Sequence, residues 1–107
     1  MEAMGQYFTA EMSDPGEGRH LLTIGFGEQA RNSTIVVDAV ETLRGLALDG
    51  GKAILINGPT TNAAAMAIAH SVAHKYGYVA CYDPKLGAYV VVISHDPEVK
   101  VGRELVL

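Results

Sequence analysis

The chain has 107 residues, of which 49% are hydrophobic and 19% are charged, and its formal net charge is −4 at pH 7. This length fits one domain spanning residues 1–107, and the composition is that of a folded protein rather than a disordered one. The negative charge argues against a protein that coats DNA or RNA through general phosphate attraction, and the apolar runs fall far short of the ~20 residues of a membrane helix.

The cysteine content and the N-terminus indicate a compartment. Cys81 is the only cysteine, so no internal disulfide can form, and it lies in an apolar stretch typical of a small buried side chain. The N-terminus lacks the basic region of a secretory signal. We therefore expect a cytoplasmic protein.

The N-terminal part of the chain predicts a hairpin followed by a helix. Residues 6–12 and 19–26 are rich in strand-forming residues and flank a cluster of turn residues at 13–18. Asn32 or Ser33 can cap the helix that follows. The apolar positions that recur there at helical spacing are Val36, Val40, Leu43 and Ala47.

The middle of the chain predicts a strand, a second helix and another strand. Residues 49–51 end the first helix, and residues 52–57 are typical of a buried parallel strand. The alanine-rich segment 63–76 is expected to form a helix that lies close to the sheet and ends at Gly77. Residues 78–82 form the next strand. A strand, helix and strand in this order predict a right-handed parallel crossover.

The C-terminal part adds antiparallel strands. Residues 83–87 form a turn that leads into a strand at 88–93, and residues 105–107 are a candidate edge strand. The predicted fold class is α/β. It is a compact, Rossmann-like single domain whose mixed sheet has a parallel β-α-β crossover and antiparallel hairpins.

Chain direction separates the candidate functional residues into two groups. The segments that leave the two parallel strands, including Asp83, lie at the carboxyl edge of the sheet, where open α/β folds bind ligands. The helix between these strands runs back, so His74 lies at the opposite edge, and the antiparallel return brings His95 there as well. Five strand residues at ~3.3 Å each separate the groups by roughly 15 Å. A single site would therefore need two chains to meet.

The loop before the second helix and the histidines near its end each have two interpretations. Gly58-Pro59-Thr60-Thr61-Asn62 places backbone N–H groups and hydroxyls at a helix start, which suits phosphate oxygens, but an ordinary cap and turn also explains it. His70 and His74 share a helix face. This spacing can present two imidazoles to one metal. Alternatively, His70 is packed or solvated and His74 is simply a cation at a helix C-terminus.

The acidic turn at residues 83–87 and the last histidine also allow more than one interpretation. Asp83-Pro84 is typical of a turn in which the aspartate accepts backbone N–H groups. A carboxylate at the carboxyl edge also suits a divalent metal, and Lys85 suits a phosphate. His95, after a strand, is also typical of an exposed loop.

The central stretch of the chain resembles a known family. The matching residues are His74-Lys75-Tyr76, Val79-Ala80, Tyr82-Asp83-Pro84-Lys85-Leu86-Gly87-Ala88, Val90-Val91-Val92 and Ser94-His95. Over about residues 56–102 the chain is similar to the smallest CRISPR-associated Rossmann-fold (CARF-like) proteins of type III systems. The resemblance implies a manganese-stimulated ribonuclease that acts on short adenylate RNA and serves as a ring nuclease for cyclic tetra-adenylate.

The resemblance implies a role for each matching residue. His74 matches the family's helix-end histidine, Asp83 its essential aspartate and His95 its post-strand histidine. These three would be catalytic and would also be the candidate ligands for Mn²⁺. Lys85, the fourth catalytic residue, stands where the family usually has arginine, and it keeps the charge but loses the planar fork for bidentate phosphate contact. His70 has no counterpart.

The implied function is that of a homodimeric ring nuclease. It would bind and cleave the second messenger cyclic tetra-adenylate and so switch off type III CRISPR antiviral signalling. The loop 58–62 would hold phosphates, and head-to-tail stacking of dimers would join the two groups of residues. The expected partners are cyclic oligoadenylate or short adenylate RNA, without DNA or a membrane. The alternative is a non-catalytic module that binds the cyclic nucleotide or short RNA.

Overall fold

The computed structural model describes residues 1–107 and contains seven strands and two helices. The strands are β1 (Glu2–Met4), β2 (Phe8–Gly16), β3 (Arg19–Phe26), β4 (Gly51–Asn57), β5 (Tyr76–Asp83), β6 (Ala88–Ser94) and β7 (Glu104–Leu105). The helices are α1 (Asn32–Arg44) and α2 (Asn62–Ala73). Neither helix has the length and apolar character needed to cross a membrane.

All seven strands form one mixed sheet, in which spatial order follows chain order. The central strands β3, β4 and β5 are parallel and are connected by α1 and α2. The outer pairs β1 with β2, β2 with β3, β5 with β6, and β6 with β7 are antiparallel. The α/β class, the parallel crossover through α2 and the antiparallel hairpins are confirmed, and the connection through α1 is a second crossover.

Both helices pack on the same face of the sheet. The larger hydrophobic core joins buried side chains of α1 and α2 to alternate residues of β2, β3 and β4. The smaller core lies on the other face, where β4, β5 and β6 pack against Val99 from the segment after β6. Two right-handed crossovers that advance in the same direction across a sheet place their helices on one side. The protein therefore has two layers.

Two predicted boundaries around β5 are wrong. The helix α2 ends at Ala73, three residues before Tyr76, and Gly77 lies inside β5 instead of ending the helix. The reason is that Tyr76 is only 3% exposed, because its ring packs in the larger core while its backbone pairs with Gly51 of β4. Burial of this ring makes β5 begin at Tyr76, a position that the alanine-rich pattern assigns to the helix.

The predicted buried face of α1 is displaced by about one position. The buried residues are Ile35, Ala39, Thr42 and Leu43, so only Leu43 was assigned correctly. Val36 and Val40 flank this stripe and are half-buried, and Ala47 lies beyond the helix and is exposed. The buried face includes Ala39 and Thr42, which are small or polar, so the spacing of large apolar residues does not identify it.

Both terminal edge strands are short. The sequence did not indicate β1, whose three residues are exposed or half-buried and therefore show no apolar alternation. The predicted strand at 105–107 begins earlier, at Glu104, and consists of two residues. Leu105 pairs there with Tyr89 of β6.

Candidate functional site

The carboxyl edge of the parallel strands brings the starts of both helices together. Thr61 caps α2, where its Oγ1 accepts a hydrogen bond from the N–H of Ala64 at 3.2 Å. The same hydroxyl donates to Oδ1 of Asn32 at 2.7 Å. Asn32 was one of two expected caps for α1, but the cap position is Arg31, and Asn32 instead holds the cap of the neighbouring helix. This bond fixes the two helix starts side by side.

An open cavity of about 680 Å³ lies over this edge. It is lined by residues 26–31 together with Ile35 and Thr61. Glu28 and Arg31 therefore face the candidate ligand region, although no motif in the sequence marked them.

The predicted phosphate-binding loop is divided between two surfaces. Thr61 lines the open cavity, whereas Gly58 and Thr60 line an apolar groove of about 330 Å³ between α2 and the strands β5 and β6. Pro59 and Asn62 line neither of these two and are exposed. Ligand binding by the loop stays a prediction.

Asp83 closes the turn that follows β5. Its Oδ1 accepts hydrogen bonds from the backbone N–H groups of Lys85 at 2.8 Å and Leu86 at 3.2 Å. Its carbonyl oxygen accepts from the N–H of Gly87 at 2.9 Å. The turn interpretation of Asp83 is therefore confirmed, and these hydrogen bonds use Oδ1 and leave Oδ2 free. The side chain of Lys85 is exposed beside it.

The histidines lie toward the opposite, amino edge. His74 is the C-cap of α2, just before β5 begins. His95 follows β6, and its N–H donates to the carbonyl oxygen of Gly77 at 2.7 Å. Both are exposed. Asp83 therefore lies at one end of β5, and His74 and His95 lie at the other, as chain direction predicts.

A fourth histidine at this edge was missed by the sequence analysis. His20 lies near the start of β3, and its Nδ1 is 2.7 Å from the hydroxyl of Tyr76. The two rings also meet edge to face, with centroids 5.5 Å apart. Alternation with Leu22 and Ile24 gives the only sequence signal that His20 faces the helices.

A cleft between the C-terminal ends of α1 and α2 has a volume of about 390 Å³ and is named here the helix-end cleft. Its polar lining consists of Arg44, His70, Ser71, His74 and Lys75, over a floor of valine and leucine side chains. His70 and His74 thus face the same space, as their spacing predicts. No motif in the sequence marked Arg44 as a neighbour of these histidines.

The expected manganese ligands do not form a centre within one chain. No three side chains of histidine, cysteine, aspartate or glutamate lie close enough together to hold a metal ion. Asp83 lies at the carboxyl edge, away from His74 and His95. A metal site built from these three residues would therefore need a second chain.

Three groups near the two edges have a raised pKa. Burial raises the pKa of the Tyr76 hydroxyl, partly opposed by the Gly50 N–H. Burial, and then the charge of Asp83, raises the pKa of the Cys81 thiol. Burial also raises the pKa of the Tyr89 hydroxyl, and a hydrogen bond with the side chain of Asn57 lowers it by a smaller amount. The expectation that Cys81 is a small buried side chain is wrong, because the residue is exposed. Its raised pKa nevertheless keeps the thiol protonated at neutral pH, so it is not a nucleophilic thiolate.

These raised pKa values predict a loss of stability at alkaline pH. A group whose pKa is higher in the folded state stabilises the fold fully below its unfolded pKa and loses this contribution as pH rises through the folded pKa. The decline should begin above the ordinary values, 9.0 for Cys81 and 10.0 for the tyrosines. Urea denaturation across this range measures it, and Tyr89→Phe should decline less steeply. Equal declines in the two proteins would contradict this account.

The family of the chain follows from its sequence match. A family model described as CRISPR-associated protein (Cas_csx3) matches residues 29–106. The chain belongs to this family. The Cas_csx3 match confirms the CRISPR association and includes both helices and all the predicted site residues. A comparison with curated proteins finds no match. The catalytic roles of the site residues stay predictions.

Proposed function

We propose that this Cas_csx3 protein is a ring nuclease that binds and cleaves cyclic tetra-adenylate and so switches off type III CRISPR antiviral signalling in the cytoplasm. The observation that supports this most is the division of the candidate residues between opposite ends of β5. A ring that carries several phosphates can be held between two chains whose carboxyl and amino edges face each other. On this proposal the domain is Rossmann-like and CARF-like.

Binding would take place at the carboxyl edge. The starts of α1 and α2 lie side by side there, and the first turn of a helix has N–H groups without partners in the helix. Each helix start also carries partial positive charge, which favours phosphate. Neither first turn contains an acidic residue, and no side chain caps α1. An anionic ligand therefore meets no competing carboxylate in either first turn. Glu28 in the lining of the open cavity is matched there by Arg31, and Lys85 is exposed at the same edge of the sheet.

Cleavage would use the ribose 2′-hydroxyl of one adenosine. When a base removes its proton, O2′ attacks the adjacent phosphorus and the P–O5′ bond breaks. The products are a 2′,3′-cyclic phosphate and a 5′-hydroxyl, whose oxygen takes up a proton from an acid. An imidazole can serve as either base or acid, and we assign these two roles to His74 and His95. Lys85 would stabilise the charge that develops on the phosphate oxygens.

Asp83 and His74 would meet only between chains. We propose a homodimer that stacks head to tail around the ligand, so that the carboxyl edge of one molecule faces the amino edge of another. Oδ1 of Asp83 is occupied by its own turn. Its Oδ2 would accept a hydrogen bond from the substrate or from an imidazole of the facing chain.

Turnover of labelled cyclic tetra-adenylate tests the proposal. The purified protein is incubated with the labelled ring with and without Mn²⁺, and we expect linear products. Asp83→Asn keeps an oxygen to accept the turn N–H groups but removes the charge, so it should lose cleavage while it keeps the melting temperature. Tight binding with no linear product in either condition would contradict the nuclease.

A non-catalytic binding module is the second candidate function. The observation that favours it is the engagement of Asp83 in its own turn, since this gives the carboxylate a structural role without chemistry. Such a module would bind the cyclic nucleotide or short adenylate RNA and release it unchanged. Asp83→Asn would then bind the ligand as tightly as the unaltered protein, and neither protein would form products.

A further inference from the structure

The helix-end cleft concentrates basic side chains in an acidic protein. Arg44, His70, His74 and Lys75 line it, and no carboxylate does, although the chain has 12 acidic residues against 8 lysines and arginines. None of the four forms a salt bridge. The one salt bridge in the chain joins Arg19 to Glu17. The positive charge of the cleft is therefore not neutralised by acidic side chains.

Part of this charge compensates the helix ends themselves. The C-terminus of each helix carries roughly half a negative elementary charge. Arg44 lies in the last turn of α1 and His70 in the last turn of α2. Two helix ends together supply about one negative charge, whereas Arg44 and Lys75 alone supply two positive ones. The helix dipoles therefore leave an excess of positive charge in the cleft.

The excess charge decides between two kinds of ligand. His70 and His74 alone, four residues apart on a helix, would suit a divalent cation. The guanidinium of Arg44 and the ammonium of Lys75 in the same cleft would repel a cation. Both groups are hydrogen-bond donors that suit phosphate oxygens. The cleft is therefore matched to an anion.

The remaining contacts support this assignment. The hydroxyl of Ser71 donates to the carbonyl oxygen of Ala67 at 2.8 Å, so it is committed to its own helix. The Nζ of Lys75 reaches the carbonyl oxygen of Leu48 at 3.4 Å, which holds one of its three donors and leaves the others free. Arg44, His70, His74 and Lys75 are all exposed, so an anion can reach them from solvent.

We propose that the helix-end cleft binds a phosphate group, with Arg44, Lys75 and His70 as its binding residues. The identity of the ligand rests on the proposed function. If the protein is a ring nuclease, the cleft holds a phosphate of the cyclic RNA beside His74, the imidazole assigned to proton transfer. Arg44 and His70 would then be substrate-binding residues of the amino-edge half of the site.

Inorganic phosphate tests the cleft without any substrate. The imidazole proton signals of the four histidines are followed by NMR while phosphate is added at constant pH and ionic strength. We expect saturable shifts at His70 and His74 and unchanged signals at His20 and His95, which lie outside the lining of the cleft. Equal shifts at all four histidines, or selective broadening of the His70 and His74 signals by Mn²⁺ with no response to phosphate, would overturn the proposal.

Substitutions show whether the basic side chains bind the phosphate. Arg44→Gln and Lys75→Gln should each weaken phosphate binding about tenfold, the effect of one charge-assisted hydrogen bond. Arg103→Gln removes an exposed arginine outside the lining of the cleft and should bind phosphate as the unaltered protein does. Unchanged phosphate affinity in both Arg44→Gln and Lys75→Gln would show that the cleft is not a phosphate site.

The cleavage assay separates this proposal from the proposed function. Saturable phosphate binding in a protein that does not cleave cyclic tetra-adenylate supports the cleft as a phosphate site and contradicts the nuclease. Cleavage by Arg44→Gln with the KM of the unaltered protein supports the nuclease and shows that the cleft does not hold a substrate phosphate.

Discussion

Replacing His74 with alanine is expected to lower the rate of cyclic tetra-adenylate cleavage by about 100-fold or more, because a positioned general acid or base contributes at least this much. The fold should be unaffected. His74 is exposed, and its contribution as the C-cap of α2 is a backbone N–H that donates to Val72 whatever the side chain. A single-turnover measurement with labelled substrate isolates the chemical step.

Two variants separate proton transfer from other effects at this position. His74→Gln keeps a polar side chain that can hydrogen-bond but cannot exchange a proton at neutral pH, so it should lose as much activity as His74→Ala. Lys100→Ala removes an exposed positive charge from the segment after β6 and should cleave at the normal rate. Normal cleavage by His74→Gln would show that His74 only positions the substrate.

Gly58→Ala is expected to destabilise the protein by about 3 kcal/mol, at the upper end of the cost of backbone strain. Gly58 has a φ of 132°, a conformation that L side chains rarely adopt. A Cβ there would also collide with the carbonyl oxygen of Ile24 in β3. The backbone at Ile24 cannot give way without disturbing its pairing with Ala10 of β2. Urea denaturation gives the free energy of unfolding.

Gly87→Ala is the matched control for this effect. Gly87 has a φ of 64°, but a Cβ there would meet no atom within 4 Å. Its cost should be that of a left-handed residue alone, about 1 kcal/mol. Equal losses of unfolding free energy in the two variants would show that the contact with Ile24 is not what requires glycine at position 58.

The edge at which each candidate residue lies could be predicted from the sequence. The β4-α2-β5 unit has one allowed connection, so the positions of Asp83 and His74 at opposite ends of β5 follow from chain direction alone. The turn at Asp83 also follows from local chemistry, because its hydrogen bonds reach only two and three residues along the chain. Short-range features of this kind need no knowledge of packing.

The parts of the site that could not be predicted depend on contacts between distant residues. Thr61 meets Asn32 across 29 residues, and His20 meets Tyr76 across 56. Arg44 joins the histidines of α2 only because α1 and α2 pack on the same face of the sheet. No periodicity or spacing encodes such pairs. The same packing explains why the start of β5 was misplaced, since the buried ring of Tyr76 outweighed the helical pattern around it.

Mixing two inactive variants tests the claim that one nuclease site forms between two chains. His74→Ala supplies an intact Asp83, and Asp83→Asn supplies an intact His74 and keeps its turn. If head-to-tail stacking brings these residues together, an equal mixture should regain up to about a quarter of the normal cleavage rate. When the two variants pair at random, about one contact in four joins an intact Asp83 to an intact His74. A mixture that is no more active than either variant alone would contradict the shared site.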